Sequence, residues 1–260
     1  MKILFIGDVI GHPGRRAFSD LLPAIRSEHA PDFVILNAEN AAGGFGLTPE
    51  IAQELFAAGA DVLTSGNHIW DKKQILDYLD LEPRLLRPAN YPAGVPGRGW
   101  GVFTAGTTEM KIGVLNLEGR VYMHHLENPF VAGQEILKRL RQETPLCFVD
   151  FHAEVTSEKR ALGWYLDGLA TAVIGSHTHV QTADEEILPR GTAYLTDVGM
   201  TGGRDSVIGI EKEDALHRFL YSMPSRFSPA TGRPWLNAVL VNADPASGRA
   251  LSVQRLQRAV

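Results

Sequence analysis

Met1-Lys2-Ile3-Leu4-Phe5-Ile6-Gly7-Asp8 begins the chain with a short apolar run that stops at a glycine and an acid. The run falls far short of the roughly 18 apolar residues of a membrane span. No small-residue cleavage site follows it, so it does not read as a signal peptide. It reads as a first buried strand, Ile3 to Ile6, with Asp8 just beyond its end. The same arrangement recurs along the chain. Phe33 to Leu36 precedes Glu39 and Asn40, Val62 to Thr64 precedes Asn67, Leu146 to Phe151 precedes His152, and Ala172 to Ile174 precedes His177 and His179. Continuous apolar runs of this length suit strands buried on both faces.

Between the runs, Arg15 to His29, Pro49 to Ala58, Lys72 to Leu79 and Asn128 to Glu143 carry helical spacing, with Pro49 placed as a first-turn proline. Strands alternating with helices predict an α/β fold with much parallel pairing. Arg87 to Trp100 is rich in proline and glycine and reads as a long irregular loop. Two hairpins are expected. One joins Gly101–Ala105 to Lys111–Leu117 around Gly106-Thr107-Thr108, and the other joins Asn237–Val241 to Leu251–Gln254 around Asp244 to Gly248. Together they suggest a second sheet packed on the first. No repeat, linker or low-complexity tract divides the 260 residues, so one domain over 1–260 is expected.

Composition narrows the function. With 25 basic and 30 acidic residues the net charge is -5, which gives no electrostatic reason to track a long nucleic-acid duplex. The single cysteine, Cys147, excludes an internal disulfide and lies in an apolar strand as an unreactive thiol. No anchor is visible, and the cytoplasm is the default compartment.

In an open α/β sheet, loops beyond the carboxyl ends of the strands converge on one crevice, so residues distant in sequence meet there. Asp8, Glu39, Asn40, Asn67, His152, His177 and His179 offer oxygen and nitrogen donors only. Such a set suits Fe, Mn, Zn or a related divalent ion and lacks the thiolates of a structural zinc or iron–sulfur site. Two carboxylates bring about -2, so two divalent ions leave the site near +2, and a bridging hydroxide leaves it near +1. An acidic chain can in this way offer a cationic pocket to a small phosphate ester.

The ordered set Gly7-Asp8, Glu39-Asn40, Gly66-Asn67-His68, His152 and Gly175-Ser176-His177-Thr178-His179 resembles the calcineurin-like metallophosphoesterases. Most members carry Asp-x-His in the first motif, whereas Ile10 stands here and cannot bind a metal. The resemblance implies that Asn40 compensates as a ligand; its other reading is a cap for the loop before Gly43-Gly44. The pair Glu39-Asn40, with Val180-Gln181 and Thr196 to Gly202, makes the chain similar to the YmdB-like branch. The resemblance implies a four-layer α-β-β-α sandwich with two central mixed sheets. It implies two divalent or mixed-valence metal ions, iron first and manganese or zinc otherwise. One ion would take Asp8, Glu39, Asn40 and His179, and the other Glu39, Asn67, His152 and His177. It assigns His68 as the catalytic general acid that protonates the leaving oxygen after metal-hydroxide attack. The implied substrates are small phosphodiesters, 2′,3′-cyclic nucleotides above all, and a homo-oligomer is compatible with it.

The residues leave alternatives open. A phosphomonoesterase or protein phosphatase would use the same donors, and a non-catalytic regulator could bind a nucleotide or partner protein through the same fold. Arg120, Arg204 and Lys72 are candidate phosphate contacts, and Asp197 could orient a ligand histidine or, equally, cap its own loop. His124 and His125 are left outside the site. The glycines from Gly7 to Gly14 fail the dinucleotide fingerprint, and no Walker A or Gly-x-Ser-x-Gly motif is present.

Overall fold

The computed structural model describes every residue except Thr107 and Ser225. In chain order the strands are β1 (Lys2–Ile6), β2 (Phe33–Asn37), β3 (Val62–Thr64), β4 (Trp100–Thr104), β5 (Lys111–Glu118), β6 (Cys147–His152), β7 (Ala172–Ser176), β8 (Glu186–Ile187), β9 (Ala193–Leu195), β10 (Gly202–Gly203), β11 (Pro234–Ala243) and β12 (Ala250–Ala259). The helices are α1 (Gly11–His29), α2 (Pro49–Ala57), α3 (Ile75–Leu81), α4 (Pro129–Leu140), α5 (Thr156–Leu166) and α6 (Lys212–Tyr221).

Two six-stranded mixed sheets form, in the orders β10-β11-β1-β2-β3, with β12 paired to β11, and β4-β5-β6-β7-β9-β8. Strand alternation explains the layers. Leu4 and Ile6 point toward α1 and pack with Phe18, Leu22 and Ile25, whereas Ile3 and Phe5 point the other way and pack with Val114, Phe148 and Ile174. Phe5 and Phe148 meet between the sheets with ring centroids 5.1 Å apart. The outer face of the second sheet sends Leu117, Val149 and Phe151 against Leu137, Leu140 and Leu162 of α4 and α5. The order is therefore helix, sheet, sheet, helix, the expected sandwich.

The hairpins are placed differently from the sequence expectation. They do not make up a second sheet of their own; each completes a different sheet. A strand buried on both faces still needs a hydrogen-bonding partner on each edge. Parallel β2 serves one edge of β1 and antiparallel β11 serves the other. The β4–β5 hairpin meanwhile joins the second sheet through parallel pairing of β5 with β6. Its expected turn includes Thr107, which lies outside the described residues. Helix α1 also starts four residues before the expected Arg15, because Pro13 fits a first turn and Gly14 passes against the Thr201 carbonyl, where a Cβ would come within 2.3 Å. Helices α5 and α6, and the short strands β8 and β10, were not anticipated. Among the described residues, no helix is long and apolar enough to cross a membrane.

Candidate metal centre

Strands β1, β2 and β3 of one sheet and β6 and β7 of the other end at the same edge of the sandwich. All seven sequence-predicted donors come together there. Asp8, Glu39, Asn40 and His152 are buried, while Asn67, His177 and His179 are half-buried. Asp8 Oδ2 accepts a hydrogen bond from the His177 backbone N–H at 3.3 Å. Asp8 Oδ1 is buried with no hydrogen-bond partner among the described residues, and His152 Nδ1 and His179 Nε2 stand 3.7 and 3.9 Å away. A buried carboxylate oxygen without a donor is costly unless a cation meets it.

His152 Nε2 lies 3.1 Å from Glu39 Oε1, 3.1 Å from Asn67 Oδ1 and 3.0 Å from His177 Nδ1. One ring nitrogen cannot satisfy three neighbours by itself, and this convergence of donor atoms fits a cation. The Asn40 amide reaches 3.0 Å from Glu39 Oε1 and 3.3 Å from His179 Nε2, and a half-turn of that amide exchanges its nitrogen for oxygen at the same place. Two donor groups emerge, Glu39 with His152 and His177, and Asp8 with Glu39 and His179, each with its ligand atoms within 4.8 Å of one another. Glu39 belongs to both. The donor chemistry and the orphaned Asp8 oxygen fit divalent cations.

The charges make the same demand. Burial raises the Asp8 carboxyl, against the pull of the His179 and His152 imidazoles. Burial also works to raise Glu39, yet the charge and hydrogen bond of His152 outweigh it and hold the carboxyl well below its ordinary range. Burial would lower His152, but Glu39 and Asp8 push it up to about 9, while burial and then the charge on His152 push His177 down to about 3. The two carboxylates thus draw positive charge into the cluster, and a divalent ion satisfies that demand better than one proton.

Residues that the sequence reading missed hold the donors in place. Asp150 Oδ1 accepts the Ser176 hydroxyl at 2.6 Å, and Ser176 Oγ lies 3.0 Å from His152 Nδ1. His152 therefore donates Nδ1–H to Ser176 and turns Nε2 to the cluster. Burial pushes Asp150 up to about 6, and Thr64 and Asn37 hydrogen-bond its other oxygen at 2.5 and 3.0 Å from the facing sheet. Its only sequence signal is an acid inside an apolar strand, two residues before His152 and so on the same face.

Of the two roles open to Asp197, the structure shows loop capping, with no direct bond to a histidine among the described residues. Its Oδ2 accepts from the backbone N–H and hydroxyl of Thr178 at 3.1 and 2.7 Å and pairs with buried Lys159 at 2.6 Å. Thr178 sits between His177 and His179, whose φ angles are 94° and 65°. Left-handed backbone at a non-glycine residue costs about 1–3 kcal/mol, so this pin opposes strain at the two donors.

His68 stands beside the cluster and in neither donor group. Its backbone N–H donates to Glu39 Oε2 at 3.2 Å, its Nδ1 lies 2.8 Å from Asp71, and its ring lines a cavity of about 280 Å³ that opens over the donors. Glu154, also missed, reaches 3.1 Å from His177 Nε2. His124, set aside in the sequence reading, bonds Glu118 at 2.8 Å and lines a neighbouring opening with Asn67 and His177. Arg120, Arg204 and Lys72 do not line the cavity. Arg204 instead covers Trp235, 3.8 Å from its ring centroid.

The profile of the YmdB-like proteins matches residues 4–256. The chain belongs to this family. It is 48% identical over 256 residues to the 2′,3′-cyclic-nucleotide 2′-phosphodiesterase of Bacillus subtilis (strain 168), covering 98% of this chain and 96% of that one. A crystal structure of a hypothetical protein from Thermus thermophilus matches with a TM-score of 0.92 at 41% identity, covering 100% of this chain and 99% of the other. A structure described as a novel phosphatase from Mycoplasma pneumoniae gives the same TM-score, 0.92, at 35% identity over 100% of this chain and 93% of its own. The fold of this YmdB-like chain is that of the metallophosphoesterases.

Proposed function

We propose that this YmdB-like chain is a dinuclear metal-dependent phosphodiesterase whose substrates are small phosphodiesters of the 2′,3′-cyclic nucleotide class. It acts on phosphoesters, in line with its relatives named as phosphodiesterase and phosphatase. The observation that carries the reading is the pair of donor groups sharing Glu39, with His68 outside both. One position takes Asp8, Glu39, Asn40 and His179, and the other Glu39, Asn67, His152 and His177. When bound, divalent ions supply Lewis acidity that activates a water and draws charge from the phosphoryl oxygens. Water oxygen forms a bond to phosphorus as one ester P–O bond breaks. His68 gives its Nε2 proton to the departing oxygen, while Asp71 holds Nδ1–H and fixes the ring. Asn67 and Glu39 keep His68 beside the ester, Asn67 as chain neighbour and Glu39 through the backbone hydrogen bond.

The test combines elemental analysis with hydrolysis of 2′,3′-cyclic nucleotides and of a diester against its matching monoester. A clear diester preference is expected. His68→Ala should lower turnover by about 10²–10⁴ with metal content intact. Metal-replete protein inactive on every phosphodiester overturns the reading, and loss of metal in His68→Ala makes His68 a ligand.

A further inference from the structure

The cavity over the donors has two unlike walls. Glu39, Asn40, His68, His177 and His179 form one. Ile10, Phe45, Ile208, Phe227 and Pro229 form the other. Attack on phosphorus has no use for the second wall, since a phosphodiester is ionic and its oxygens belong with the donors.

The apolar wall is assembled from separate segments. Gly43, Gly44 and Gly46, all at positive φ, shape the turn that carries Phe45 over the cavity, and a Cβ on Gly44 would come within 3.0 Å of Pro229. Phe45 packs edge-on against His68 with ring centroids 5.1 Å apart. Phe227 arrives after α6 and is covered by the Arg218 guanidinium at 4.9 Å. The Ile208 carbonyl accepts from His179 Nδ1 at 2.9 Å, so the wall is tied to a donor. Ile10 occupies the place where the related motif carries a ligand histidine, and here it extends the apolar face instead.

The wall carries no charged side chain, and much of its backbone is already paired. No lysine or arginine lines the cavity, which leaves nothing to hold a second phosphate. The Gly209 and Ser228 N–H groups donate to Ser206 Oγ and Asp214, and the Ser228 carbonyl accepts from Glu211. Val207 and Ile210 bond each other through both backbone groups. Glu154 also lines the cavity, on the donor side beside His177, and few groups remain on the apolar side to read the edge of a ligand. At about 280 Å³ the cavity lies near the lower end of the roughly 300–1,000 Å³ of small-molecule sites.

We propose that Phe45, Ile208, Phe227 and Pro229, with Ile10, form a nucleobase subsite that holds the base of one mononucleotide diester by stacking and burial, without reading its identity. This rests on the phosphodiesterase reading. A base lying on aromatic and aliphatic side chains is held about equally whichever base it is, because every base has a π-face.

The experiment compares kcat/KM for 2′,3′-cyclic AMP with that for glycerol 1,2-cyclic phosphate, which has the same strained ring and no base. Metal-loaded wild type should favour the nucleotide by about 10- to 100-fold. Phe227→Ala and Phe45→Leu should each lower that preference about tenfold, chiefly through KM for the nucleotide, while Phe227→Trp retains it. The cyclic nucleotides of adenine, guanine, cytosine and uracil should agree within about tenfold. Equal use of nucleotide and glycerol ester by wild type, or a preference that survives both ring-removing substitutions, overturns the subsite and leaves the phosphodiesterase reading standing. A more than hundredfold preference for one base overturns the non-reading of identity. If metal-loaded wild type cleaves neither ester, the phosphodiesterase reading fails and the subsite falls with it.

Discussion

Gly66 precedes Asn67 at a place where the two sheets nearly touch. A Cβ built there would lie 2.1 Å from His152 Cδ2, 2.3 Å from His152 Nε2 and 2.5 Å from Glu39 Oε2. All three atoms belong to groups of the cluster, and Gly66 does not hold a positive φ, so Gly66→Ala acts through the methyl alone. Relief needs the imidazole and carboxylate to retreat by about 1 Å, a displacement that lowers turnover roughly 10²-fold when it misplaces reacting groups. The His152 ring has little freedom to retreat, because Ser176 and Asp150 hold its far side. Overpacking of this kind destabilises by about 1–3 kcal/mol, roughly 2–12 °C in Tm for a chain of this size. The assays are metal-to-protein ratio, kcat/KM on a 2′,3′-cyclic nucleotide and thermal unfolding. Folded Gly66→Ala with a full metal complement and kcat/KM within about threefold of wild type would refute the steric argument.

Lys159→Met should leave Asp197 buried without its cation and destabilise by about 3–5 kcal/mol, read in denaturant unfolding. A loss below about 1 kcal/mol would show that the Thr178 and Gly199 hydrogen bonds satisfy Asp197 unaided. Ser176→Ala should remove the His152 Nδ1 acceptor and weaken metal binding about 10- to 100-fold, measured by chelator competition, whereas unchanged affinity would deny Ser176 a role in setting that ring. Burial pushes the Cys147 thiol up from its ordinary 9.0 to about 11. Because the folded value is the higher one, its contribution is complete below the unfolded value and is lost as pH rises through about 11. The stability gap between wild type and Cys147→Ala should therefore hold steady below that range and narrow within it. Native protein should also resist a thiol reagent at about pH 8, and rapid stoichiometric labelling would contradict the burial.

The donors were legible because each is a local event. Asp8, Glu39, Asn67, His152 and His177 stand within five residues of the end of an apolar run, and strand ends are where an α/β fold gathers its loops. The same logic passed over Asp150 and Lys159, which lie within a strand and a helix and look like misplaced charges until Ser176 and Asp197 are brought to them. It also passed over the apolar wall, since Phe45, Ile208 and Phe227 carry no periodic signal in loops and meet only in space.

The donors, the long buried strands and four of the six helices were therefore written in the chain order, because burial periodicity and chain termination are short-range properties. Which edge each strand takes was decided only in the tertiary structure. The β11–β12 and β4–β5 hairpins show the same local pattern, yet one completes the sheet of β1 and the other that of β6. Backbone hydrogen bonding has no sequence code of its own, so edge partners are chosen by the packing of whole sheets. That choice stacks the two sheets with their ends together, and it places Glu39 from one beside His152 from the other, 3.1 Å apart.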